Sequence, residues 1–173
     1  MHPSRTLAVL LGVALLTVAP TACSTAPTPE QQRAELAARP HLSAATADLD
    51  AMLAEIRTRL SNEVGIIGWY SPDSRGEAGC YGFDDVGEAH TASTADWVHD
   101  GAIPELQWPH ARAVITEVAA HHGFDIGAEP VSRPGLHAIR STGPYGASLI
   151  FDAGDNVSMV MISGCHLPDG DTR

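Results

Sequence analysis

"SLIFDAGDNVSMVMI", residues 148–162, is the stretch whose reading decides the fold. Two apolar, β-prone runs flank Ala153 to Asn156, a cluster of turn formers, so the segment reads as a β-hairpin. Upstream, 124–131 and 136–142 read as further strands, which join strands at 147–152 and 157–163 in a C-terminal meander. Ahead of the meander, "QWPHARAVITEVAAHHG" (107–123) reads as a helix. Pro109 suits its first turn, Gly123 its C-terminal cap, and Ala111, Val114, Ile115, Val118 and Ala119 its buried stripe.

Further out, Leu42, Ala45, Leu49, Met52, Leu53, Ile56 and Leu60 recur at three- and four-residue spacing, the mark of an amphipathic helix facing a core. The period then changes. "VGIIGWY" (64–70) is β-branched and aromatic and reads as a strand, "SPDSRGEAGC" (71–80) as a loop, "CYGF" (80–83) as a further strand and "STADWVH" (93–99) as extended chain. Helices, strands, a helix and a meander, with no internal repeat, specify an α+β domain. Its helices cover one face of a mainly antiparallel sheet.

At the amino end, Leu7 to Ala19 is an apolar run of thirteen residues behind Arg5. As a helix it spans about 20 Å, short of the ~30 Å hydrocarbon core but suited to a signal peptide. Small residues at Ala22 and Ser24 would also suit an ordinary signal-peptidase cut. "PTAC" (20–23) resembles the bacterial lipoprotein signal, with Pro20 standing where that pattern favours Leu. The resemblance implies cleavage before Cys23, diacylglycerol on its sulfur and a further acyl chain on the new amine. Two or more chains hold a protein stably on a bilayer, at about 0.8 kcal/mol per buried CH₂. "STAPTP" (24–29) then reads as a tether, and "TPEQ" as a helix start, with Thr28 at the N-cap, Pro29 at the first position and Gln31 completing a capping box. Pro40 ends that short, weakly apolar segment at about Arg39, and partial order is expected of it.

Ten basic residues stand against twenty-one acidic ones, for a net charge of −11, and there is no lysine. That balance argues against nucleic acid and against electrostatic docking on anionic lipid. With Cys23 lipidated, Cys80 and Cys165 remain as an even pair in an exported chain, which points to a disulfide. The bond requires their Cα atoms to lie roughly 4.4–6.8 Å apart. It would leave only the tail "HLPDGDTR" free.

The lipobox, the "TPEQQ" entry, "EIRTRLS" before "GIIGWY", the "GEAGC" loop, "HHGFDIG" and the terminal "VMISGCHL" occur in an order that resembles the LppA-type lipoproteins of mycobacteria and related actinobacteria. The resemblance covers nearly the whole chain after Cys23. It implies a membrane-anchored envelope protein with a small α+β domain, on the outer face of the cytoplasmic membrane. It supplies no catalytic residues, because its landmarks carry no catalytic signature.

The chemistry-bearing residues give no motif. Nine histidines suggest a metal, and Glu117 and His121 sit four apart on one helix face, but a zinc site needs three or four ligands. No HExxH is present, and His121 and His122 diverge by about 100° on a helix. Ser93, Asp96 and His99 have the residue types of a triad without a GxSxG elbow, and in a strand Asp96 would face away from the other two. Cys165–His166 is better read as half a disulfide than as a nucleophile beside its base. "DAGDN" (152–156) lacks EF-hand spacing, and "GEAGCYG" (76–82) lacks the order of a dinucleotide fingerprint.

Residues 1–22 are therefore expected as a signal peptide, 23–41 as anchor, tether and short helix, 42–168 as one α+β domain and 169–173 as a flexible tail. The expected function is a non-catalytic envelope interaction module, attached through lipid on Cys23, with no cofactor, no metal, no nucleic acid and an envelope protein or cell-wall component as partner. The alternative is a carrier holding a small or apolar ligand between helices and sheet.

Overall fold

A computed structural model describes residues 26–127 and 129–170. The signal sequence, the lipobox with Cys23 and the last three residues lie outside the described residues. The chain forms α1 (Pro29–Ala37), α2 (Leu42–Arg59), β1 (Gly76–Gly79), β2 (His90–Ser93), β3 (Trp97–His99), α3 (Trp108–His121), β4 (Asp125–Ile126), β5 (Val131–Arg133), β6 (Leu136–Thr142), β7 (Ser148–Ala153) and β8 (Val157–Ile162).

The sheet runs β1-β2-β8-β7-β6-β4, every pairing antiparallel. β3 continues β2 along the same side of β8, and β5 shares β6 with β4. In the hairpin, Phe151 pairs with Met159 and Leu149 with Met161, and the chain turns between Ala153 and Val157. Leu149, Phe151 and Ala153 alternate with half-buried neighbours, as do Val157, Met159 and Met161, so one face is apolar. The stripes of α2 and α3 close over that face. Met52, Leu53, Ile56, Ile115, Val118, Ile139, Phe151 and Met161 join one buried cluster.

α2 does not stop at Arg59. One π-helical turn, Leu60–Val64, extends it until Gly65, at φ +82°, caps it in the left-handed region. Gly68 repeats that conformation at φ +76°. These glycines undo the strand expected over 64–70: only Tyr70 pairs, in an isolated bridge to Val98. The expected 71–80 loop instead contains β1, whose four residues are all exposed. "CYGF" is a turn, and 124–131 splits into β4 and the start of β5.

α1 begins as its capping box directs, with Thr28 accepting from the Gln31 amide while Gln31 reaches back to Thr28. It is docked rather than partly ordered: Leu36 is 1% exposed and packs with Cys80, Val86, Ala89 and Leu167. Gln32 Nε2 donates to the Gly82 carbonyl. Cys80 and Cys165 form the disulfide within this second cluster, 85 residues apart in sequence with Cα atoms 5.7 Å apart. Gly79 pairs with His90 and His90 with His166, so both cysteines flank one residue of β2. The tail expected to hang free is bound as well: His166 and Leu167 are buried, and the Leu42 amide donates to the Leu167 carbonyl.

Candidate functional site: a histidine-lined cleft

A cleft of about 350 Å³ opens between α2, the end of α3 and the 144–147 turn. α2 contributes Ala45, Asp48 and Leu49, and the end of α3 contributes His121 and His122. The other walls are Phe124, the 144–147 turn, Ser163, Pro40 and His166. His121, the last residue of α3, and His122, its C-cap, both line this cleft.

Tyr145 sets the shape of one wall. It is the one non-glycine residue with positive φ among the described residues, at +58°. A left-handed L-residue of this bulk costs on the order of 1–2 kcal/mol, so its surroundings must hold it. Gly164 makes room for this turn: a Cβ there would lie 2.0 Å from the Tyr145 carbonyl oxygen. Gly143 lies equally close to the Phe124 ring, where a Cβ would come within 2.4 Å. The Tyr145 ring meets His166 edge-on at 5.6 Å between centroids, and the Arg39 guanidinium lies 5.6 Å from the Tyr145 centroid. Arg39 is itself held by Glu35 and by the Cys165 carbonyl.

His166 is 2% exposed. Its Nδ1 lies 2.8 Å from the Pro40 carbonyl, a distance at which Nδ1–H donates and leaves the lone pair on Nε2. Burial pushes its pKa below the ordinary histidine value, with the Arg39 charge adding to the effect and the Pro40 bond opposing it.

The residues singled out from the sequence fall elsewhere. Ser93 Oγ accepts from the Gly76 amide, and His99 Nδ1 contacts the Ile67 carbonyl. Asp96 is raised in pKa by burial and by Asp73 and Asp152, so these three residues serve separate neighbours. Glu117 pairs with Arg59. Among the described residues, no group of three His, Cys, Asp or Glu side chains is placed to hold a metal ion.

A serine–histidine–carboxylate contact does occur where the sequence gave no warning. Ser132 and His137 are cross-strand partners on β5 and β6. Ser132 Oγ lies 3.2 Å from His137 Nδ1, and Glu105 Oε2 lies 3.3 Å from His137 Nε2. The His137 ring stacks on Trp108 at 4.1 Å. The Gly135 amide, then His137, hold the Glu105 carboxyl below the usual carboxylate range. The network ties the β5–β6 turn to the start of α3.

Helices over one face of an antiparallel sheet, with Cys80 and Cys165 bonded at its edge, define a small disulfide-bonded α+β domain. A family model described as "LppA: Lipoprotein confined to pathogenic Mycobacterium" matches residues 19–169, and the chain belongs to that family. The LppA lipoprotein of Mycobacterium tuberculosis has a similar fold, at 12% identity and a TM-score of 0.62 over 81% of this chain and 87% of that one. A DUF4853 family protein from Actinomyces odontolyticus matches at 13% identity and a TM-score of 0.58, over 77% of this chain and 72% of that one. A comparison with curated proteins gave no match.

Proposed function

We propose that the protein is anchored by lipid on Cys23 to the outer face of the cytoplasmic membrane, and that its domain is a non-catalytic binding module for an envelope protein or cell-wall component. Membership of a lipoprotein family supports the anchor, as does the "PTAC" signal. No helix of the described residues is long and apolar enough to cross a membrane. Residues 24–28 separate Cys23 from α1, and fully extended they reach at most about 18 Å. Because α1 is docked, it does not lengthen that leash, and the module works close to the bilayer. Glu30, Asp84 and Asp85 are exposed near this end, which suits contact with a partner better than contact with anionic lipid.

One observation carries the binding reading. The side chains between helices and sheet are closed to solvent, whereas polar groups converge on an outward-facing cleft. A carrier with its ligand between helices and sheet would need space that Met52, Leu53, Ile115 and Phe151 fill.

The test has two arms. An alkyne fatty acid should label the wild-type chain in membranes and fail to label Cys23→Ser; equal labelling and fractionation of both would refute the anchor. A photo-crosslinking residue at Tyr145 should yield a discrete adduct in the native envelope, absent from the same residue at Leu106 on the far-exposed turn before α3. Covalent labelling by a fluorophosphonate probe, lost in Ser132→Ala, would instead show catalysis and refute the module.

A further inference from the structure

We propose that the cleft between α2, the end of α3 and the 144–147 turn binds a small apolar molecule that presents a hydrogen-bond donor, an ammonium or a hydroxyl, and that Asp48 favours the ammonium. This deepens the binding-module reading and rests on it.

The size and lining fit such a molecule. A volume of about 350 Å³ lies within the range of small-ligand pockets. Leu49, Phe124, Pro144 and Ala147 supply apolar walls. The Tyr145 strain and the Gly164 contact fix one wall before any ligand arrives, so little ordering cost falls on binding.

The polar groups select the ligand's chemistry. His166 Nδ1 is committed to the Pro40 carbonyl. Nε2 has no hydrogen-bond partner among the described residues, and His166 lines the cleft. A buried imidazole with a lone pair facing a cavity asks for a donor. Its lowered pKa keeps that lone pair available at neutral pH. At the rim, Asp48 makes no ion pair or hydrogen bond among the described residues. The lining contains no arginine, and the chain has no lysine. Arg39 lies behind Tyr145, with its charge committed to Glu35. An ammonium therefore meets the His166 lone pair and the Asp48 charge, and a hydroxyl meets the lone pair, whereas a carboxylate or phosphate is repelled by Asp48 and finds donors only on the imidazoles of His121 and His122.

Three probes sharing one ring system separate these cases: tryptamine, tryptophol and indole-3-acetate. Each is titrated into the full lipidated chain in detergent, with empty micelles as blank, while the His166 Cε1–H resonance is followed by NMR. Tryptamine should shift it saturably, tryptophol should bind at least threefold more weakly, and indole-3-acetate at least tenfold more weakly than tryptamine. Asp48→Asn is an exposed change that leaves the fold intact. It should weaken tryptamine at least threefold and leave tryptophol unchanged. Equal or tighter binding of the acetate, no shift with any probe, or an indifferent Asp48→Asn would overturn the proposal. If the cleft stays empty while a crosslinked partner is recovered, this inference fails and the binding-module reading stands. If both fail, the reading falls with it.

Discussion

The two buried clusters of this domain are held together by different means. The larger one joins α2, α3 and the β6–β7–β8 meander, and burial of aliphatic and aromatic side chains is enough to explain it. The smaller one has Leu36, Cys80, Val86, Ala89 and Leu167 at its centre, too few for an independent core. A disulfide, the Arg39–Cys165 carbonyl bond and the His90–His166 bridge hold it in place. The cleft lies at the seam: Leu49, Phe124 and Ala147 come from the large cluster, and His166 and Pro40 stand beside the small one.

Substitutions should separate the two regions. The largest effect is expected for Phe151→Ala, which empties the centre of the large cluster; denaturant unfolding should show a loss of about 3–5 kcal/mol. Replacing both cysteines, Cys80→Ser with Cys165→Ser, should cost about 2–4 kcal/mol, since the bond closes a long loop. Limited proteolysis of that variant should cut first in α1 or 80–89, not in the meander. Gly164→Ala forces a Cβ into the Tyr145 carbonyl and should cost about 1–3 kcal/mol, with altered cleft resonances.

The smallest effect is on pH dependence at the seam. His166 has a depressed folded pKa, so the unfolded chain binds the extra proton first as pH falls. Its contribution to stability is therefore complete above the unfolded value of about 6.5 and is lost as pH falls through the folded value. Asp48, His121 and His122 line the same cleft and Arg39 lies behind it, so the control is the wild-type curve minus that of His166→Gln. The difference should be flat above the unfolded value and fall below it.

The large cluster was open to reading from the sequence because its physics is periodic. Leu42 to Leu60 and Ala111 to Ala119 repeat at helical spacing, and the hairpin at 148–162 announces its turn. The 64–70 segment misled because β-branched residues there outweighed Gly65 and Gly68, whose left-handed conformations break a strand. β1 gave no signal at all: "GEAG" pairs through backbone alone and buries nothing. The cysteine pairing was legible from arithmetic, but the docking of α1 was not, since it turns on Leu36 and Gln32 meeting residues about fifty or more positions away. The cleft was the least legible feature. Its histidines come from α3 and the last bridge, and they converge only in three dimensions. The one local clue was "GPYG" (143–146), a run of turn formers around the left-handed Tyr145.

Hydrogen exchange on the full chain, compared with the Cys80→Ser/Cys165→Ser variant, tests the two-region account most directly. Amides of α1, of 80–90 and of 165–167 should lose protection in the variant, while those of α3 and β6–β8 keep theirs. Simultaneous loss throughout the domain, or no loss in α1 and 165–167, would contradict it.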